Sequence, residues 1–131
     1  MAIVADHMSS NVLTVAPDSN VADAARRMAE RSVGAVLVLD GTRLLGIFTE
    51  RDVLKVVSTG LEAAGTMPVS SLMTRYPETI EPTDTTEHAA SLMVHGGFRH
   101  LPVLDGGTVV GIVSIRDLMR VELADRAPRG V

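Results

Sequence analysis

The ten residues GIFTERDVLK at positions 46–55 return as GIVSIRDLMR at positions 111–120, an interval of 65 residues. Sliding the whole chain over itself by that interval aligns residues 8–55 with 73–120 without a gap, and 14 of the 48 pairs are identical. Chance would give about three matches from ordinary residue frequencies. An internal duplication therefore constrains the fold before any local signal is read. Two copies do not make a solenoid. Each copy is marginal as an independent domain, so the pair is expected to form two half-domains about an approximate two-fold axis, with a shared core.

Each copy carries the same order of signals. Val21, Ala24, Ala25 and Met28 fall at i, i+3, i+4 and i+7 and predict an amphipathic helix, and Ala89, Ala90 and Met93 repeat the stripe. Pro17 and Pro82 precede these helices, where the incoming chain is extended. Residues 35–39 and 101–104 read as buried strands. Asp40-Gly41 and Asp105-Gly106 read as turns, followed by returning strands that end at Phe48 and Val113. A second helix is expected from Thr49 or Ser114. The stretch 58–71, with Gly60, Gly65 and Pro68, reads as the linker. The unit is thus a short strand, helix, strand, strand and helix.

Composition narrows the function. The 131 residues include no cysteine, so disulfides, thiolate metal sites and thiol catalysis are excluded. The net charge of −4 and the presence of only three aromatics, Phe48, Tyr76 and Phe98, argue against nucleic-acid binding. No apolar run approaches a membrane span, and residues 1–10 lack the basic region and apolar core of a signal peptide. A cytoplasmic location without membrane attachment is expected. No nucleophile–base pair or metal cluster is apparent. His88 and His95 lie seven apart, too far to share a metal, so neither catalytic nor metal-ligating residues are expected.

The repeated phrase reduces to Gly-x-x-[Thr/Ser]-x-Arg-Asp. One reading is local: Thr49 with Asp52, and Ser114 with Asp117, have capping-box spacing, and Gly46 and Gly111 allow tight backbone geometry. The other reading is a nucleoside phosphate site. A helix N-terminus with a hydroxyl attracts phosphate, a carboxylate accepts from ribose hydroxyls, and a neighbouring arginine, Arg51 or Arg116, meets the phosphate.

On these residues the chain resembles a tandem pair of cystathionine-β-synthase-type (CBS) motifs, a Bateman module. The carriers in the first copy are Met8, Thr14-Val-Ala-Pro17, Ala24-Ala25-Arg-Arg-Met28, Gly34-Ala-Val-Leu-Val-Leu-Asp40 and Gly46-Ile-Phe-Thr49-Glu-Arg-Asp52. In the second they are Leu72-Met73-Thr74, Thr79-Ile-Glu-Pro82, Phe98-Arg-His-Leu-Pro-Val-Leu-Asp105 and Gly111-Ile-Val-Ser114-Ile-Arg-Asp117. The resemblance implies an α/β (α+β) fold of two pseudo-symmetric β-α-β-β-α motifs packed sheet-to-sheet, residues 1–66 holding the first motif with the linker and 67–131 the second. It implies a regulatory sensor rather than an enzyme. The ligand would be AMP, ADP, ATP or an adenosyl compound such as S-adenosylmethionine, with no obligatory cofactor, bound in clefts between the copies. A homodimer and a separate effector protein are the implied partners.

Carried over residue by residue, the resemblance puts Asp117 on the ribose and Ser114 on the phosphate of the second-copy cleft, with Arg99, His100 and Arg116 as basic partners. Ser19, Ala24, Val33 and Gly34 would line the adenine, with Ile112 beneath it. A weaker first-copy cleft would use Ile47, Thr49, Arg51 and Asp52, with Asp84, Ala89 and Phe98 as its wall. It lacks the basic pair, because Gly34 and Ala35 stand where the second copy has Arg99 and His100, and Glu50 beside Thr49 would repel phosphate. The apolar residues Val53, Leu54, Val56, Val57, Leu118, Met119 and Val121 of the second helices point to a homodimer. The competing reading is a structural homodimer whose clefts are vestigial.

Overall fold

The computed structural model describes residues 1–126, and side chains to residue 124; the last residues of the second motif lie outside the described residues. The chain is a mixed α+β protein with two compact units. One is continuous, Val12–Pro77; the other joins Met1–Asn11 to the segment that begins at Glu78.

In the continuous unit, β1 (Thr14–Val15), α1 (Val21–Arg31), β2 (Ala35–Asp40), β3 (Arg43–Thr49), α2 (Glu50–Thr59) and β4 (Thr74–Arg75) follow in that order. They make a four-stranded sheet of order β1-β2-β3-β4, parallel at β1–β2 and antiparallel elsewhere. Helix α1 begins where the Asn20 side chain accepts the N–H of Asp23 at 2.8 Å, an N-cap bond. It buries Val21, Ala24 and Met28 against Val36, Val38 and Phe48 of the sheet, and ends at Ser32 in the left-handed conformation with φ +53°. The stretch expected to be a linker is instead partly built into this unit. It forms 3-10 turns at Leu61–Gly65 and Val69–Ser71, and Val69 is fully buried in the core. Composition pointed to a loop because its glycines and proline are real punctuation, but Val69 supplies an apolar anchor between them.

The second unit repeats the plan with α3 (Thr86–Gly96), β5 (His100–Asp105), β6 (Thr108–Ser114) and α4 (Ile115–Arg126). The Thr85 hydroxyl caps α3 by accepting the N–H of His88 at 3.0 Å. Helix α3 buries Thr86, Ala89 and Met93, and the core is completed by Val4, Leu101, Val103 and Val113. Strands β5 and β6 pair antiparallel, and single bridges from Ile80 to Val103 and from Ser9 to Ile112 stand where β1 and β4 stand in the first unit. The duplication is kept in fine detail. The register of β2 and β3 breaks between Val38 and Leu39, and that of β5 and β6 between Val103 and Leu104, 65 residues on.

The compact units are not the sequence halves 1–66 and 67–131. The segment leading into the first repeat, with Met8 and Ser9, lies on β6 of the second, while the segment leading into the second, with Met73 and Thr74, lies on β3 of the first. This exchange gives Gly46 and Gly111 their role. Neither has a positive φ. A Cβ on Gly46 would sit 2.7 Å from the Met73 sulfur and 2.7 Å from the Thr74 carbonyl oxygen. A Cβ on Gly111 would sit 2.5 Å from the Met8 sulfur and 2.9 Å from the Ser9 carbonyl oxygen. Close approach of backbone, not conformational freedom, requires glycine at both positions.

Candidate functional site

The repeated hydroxyl–carboxylate pairs close the start of α2 and of α4. In the first unit the Thr49 N–H donates to Asp52 Oδ2 at 2.9 Å and its hydroxyl to the same oxygen at 3.3 Å, within a reciprocal capping box. In the second, the Ser114 N–H donates to Asp117 Oδ2 at 2.8 Å and its hydroxyl to that oxygen at 3.0 Å, while the Asp117 N–H donates back to Ser114 Oγ at 3.2 Å. The local reading is therefore present in full. It uses one carboxylate oxygen. The other, Oδ1, faces a cation one turn along: Lys55 Nζ at 3.9 Å in the first unit and Arg120 Nη1 at 3.9 Å in the second. Sequence reasoning passed over these two cations, although their shared spacing from Asp52 and Asp117 was visible in the repeat.

The two carboxylates differ in access. The Asp52 side chain is 7% exposed, that of Asp117 20%. Their neighbours differ more. His100 is the cross-strand partner of Ser114, and the Arg99 carbonyl accepts the N–H of Ile115, the first residue of α4, at 2.9 Å. Arg99, His100, Ser114 and Asp117 are thus tied to one end of the β5–β6 hairpin, with the exposed Arg116 in the first turn of α4 and half-buried Ile112 two residues before Ser114 on β6. The same backbone geometry in the first unit pairs Ala35 with Thr49 and bonds the Glu50 N–H to the Gly34 carbonyl at 3.0 Å. Exposed Arg51 and Glu50 flank that box, and Ile47 is buried. One hairpin end carries Arg99 and His100 beside its box; its counterpart carries Gly34 and Ala35.

The expected adenine walls fare unevenly. Ala24 and Ala89 are wholly buried in the cores of their own units. Both stand on the apolar stripes of α1 and α3, whereas the resemblance puts them on ligand walls. Phe98 is half-buried against the core of the second unit and occupies the space beside Gly96. The Asp84 carboxylate accepts the Glu81 N–H at 2.9 Å, closing the turn before α3. Val33 packs at the edge of the first unit's core beside Gly34, and the Ser19 carbonyl accepts the Val69 N–H at 2.8 Å. Among the described residues, no group of three or more His, Cys, Asp or Glu could hold a metal ion, and no helix is long and apolar enough to cross a membrane.

The fold is a tandem of two β-α-β-β-α units, each with a hydroxyl–carboxylate box at the start of its second helix. The CBS domain family model matches residues 4–59 and 69–124, and the chain belongs to that family. It is 42% identical over 108 residues to the CBS domain-containing protein CBSCBSPB2 of Arabidopsis thaliana; the match covers 81% of this chain but only 20% of that one. Among solved structures, a CBS-domain containing protein from Agrobacterium tumefaciens superposes with a TM-score of 0.86 at 35% identity, covering 92% of this chain and 99% of the other. CBSX2, solved in complex with AMP, superposes with a TM-score of 0.82 at 29% identity, covering 97% of this chain and 100% of the other.

Proposed function

We propose that this chain is a regulatory module that binds an adenosine-containing small molecule, an adenine nucleotide or S-adenosylmethionine, and modulates a partner protein. The observation that carries the reading is the hairpin end where Arg99 and His100 flank the Ser114–Asp117 box. Asp117 Oδ1 accepts from ribose hydroxyls, competing with Arg120. Ser114, Arg99 and Arg116 meet the phosphate; the Ser114 hydroxyl gives up its bond to Asp117 to do so. The AMP complex of CBSX2 supports this ligand class. The Thr49–Asp52 box, less exposed and without the basic pair, is the weaker site and suits a ligand of lower negative charge.

Thermal melting with AMP, ADP, ATP and S-adenosylmethionine tests the proposal. At 100 times Kd, a ligand selective for the folded state adds about 2.7 kcal/mol of stability, a rise of several degrees in Tm. If none of the four moves the midpoint at millimolar concentration, the chain is instead a structural module with vestigial sites.

The proposed assembly is a homodimer. Leu54 and Val57 of the continuous unit are 67% and 51% exposed and Met119 of the other unit is 57% exposed, apolar side chains that water does not favour. Val56 and Leu118, expected among them, are buried in the unit cores and take no part. Light scattering should report twice the chain mass at micromolar concentration, and Leu54→Glu with Met119→Glu should return it to the monomer mass. A wild-type chain already at monomer mass would refute the assembly.

A further inference from the structure

The first eleven residues are fastened to the rest of the second unit through Ala2, Val4, Ala5, Met8 and Ser9. The Ala2 carbonyl accepts the N–H of Thr86, the first residue of α3, at 3.1 Å. The Val4 N–H donates to the Asp84 carbonyl at 2.8 Å and the Ala5 N–H to the Pro82 carbonyl at 2.9 Å, while the Val4 side chain is fully buried among Leu101, Val103 and Val113. Ser9 and Ile112 exchange both backbone hydrogen bonds, each at 2.9 Å. The Met8 sulfur fills the space that Gly111 leaves empty.

These last fastenings fall on β6 two and three residues before Ser114. A two-stranded hairpin is marginal by itself, and the N–H and carbonyl of Ile112 point away from β5 toward the strap. The equivalent leader of the first unit is held more firmly. It forms a two-residue ladder, Gly46 with Arg75 and Ile47 with Thr74, and its Met73 is buried, whereas Met8 is half-buried and Ser9 makes a single bridge. Of the two straps, the one beside Arg99 and His100 has the shorter ladder and the less buried methionine.

We infer that residues 1–11 form a positioning strap for the Ser114–Asp117 site, and that strap docking and ligand occupancy are coupled. The inference rests on the proposed adenosine site for its ligand. Docked, the strap holds β6 straight into the N-terminus of α4; released, it frees Gly111 and Ile112 and the box loses its frame. A ligand that needs the ordered box favours the docked state, and by linkage anything that releases the strap weakens the ligand by the same factor.

The experiment is amide hydrogen exchange on the full chain, with and without AMP, on wild type and Ser9→Pro. Proline removes the Ser9 N–H donor at an exposed position and leaves the core untouched. Saturating AMP should slow exchange at Ile112 and Val4 at least fivefold in wild type. Ser9→Pro should speed exchange at Ile112, Ser114 and Asp117, leave Val36 and Val38 unchanged, and raise the AMP Kd at least fivefold. Val4→Ala, which loosens the strap from its buried end, should do the same. Strap amides released with an unchanged Kd would overturn the coupling, as would AMP protection confined to Ser114 and Asp117. If wild type binds no AMP by calorimetry, the ligand reading and the coupling fall together. The positioning role is then judged separately: it falls if Ser9→Pro leaves exchange at Ser114 and Asp117 unaltered.

Discussion

Asp117→Ala should weaken AMP binding at least tenfold, while Asp52→Ala should leave the principal affinity nearly unchanged. A charge-assisted hydrogen bond contributes about 1.5–3 kcal/mol, and each 1.4 kcal/mol is a factor of ten in Kd. Asp117 has an oxygen outside its cap, greater exposure, and Arg99, His100 and Arg116 gathered at its hairpin end. Asp52 has Gly34 and Ala35 at the matching positions. The folding effects should run the other way. Both variants lose a cap, at a cost of about 1 kcal/mol, and the more deeply buried Thr49–Asp52 box makes Asp52→Ala the more destabilising. Calorimetric titration of both variants, well below their melting temperatures, separates affinity from folding. Equal losses of affinity would mean that the basic pair does not decide which box binds. A larger loss in Asp52→Ala would reverse the assignment.

Phe48→Ala should be among the most damaging single changes for the continuous unit, costing about 3–5 kcal/mol. Phe48 is a fully buried side chain on β3, packed in the core with Val36, Val38, Val56 and Val69, so its removal leaves a large void. Its counterpart 65 residues on is Val113, also fully buried. Val113→Ala removes only two carbons, worth about 1.6 kcal/mol at 0.8 kcal/mol per buried CH2, plus a smaller cavity term. Set against a typical domain stability of about 5–15 kcal/mol, the phenylalanine change is severe. Urea melts followed by exchange at Val38 and Val103 would report the two units separately. A Val113→Ala loss equal to that of Phe48→Ala would contradict the assigned cores.

Much of the fold was legible because the duplication doubled every local signal. The stripe of Val21, Ala24 and Met28 buries as its period predicts, and the carboxylates of the repeated phrase cap helices in both copies. The exchange of leaders was not legible. A 65-residue period is the same whichever copy Met8 packs on, and only three-dimensional proximity distinguishes the choices. Thr86 escaped notice for a related reason: it stands where the first copy has Val21, and its burial follows from helix position rather than side-chain type. The box could be named from the repeated phrase and its basic neighbours from the family resemblance, but the pairing of His100 with Ser114 could not, because the register break between Val103 and Leu104 shifts it by one residue from what the Asp105-Gly106 turn alone would give.

The exchanged leaders also set an order of assembly during synthesis. Every residue of the continuous unit is available once Pro77 has been made. The other unit must wait for β6, with Val4 already out of the ribosome and exposed to water. The pairing of Ser9 with Ile112 spans 103 residues, that of Ile47 with Thr74 only 27. In an open chain the longer closure costs about 1.2 kcal/mol more. The continuous unit therefore has the shorter closure to make, and Val4 meets its core partners only after β6 has been made.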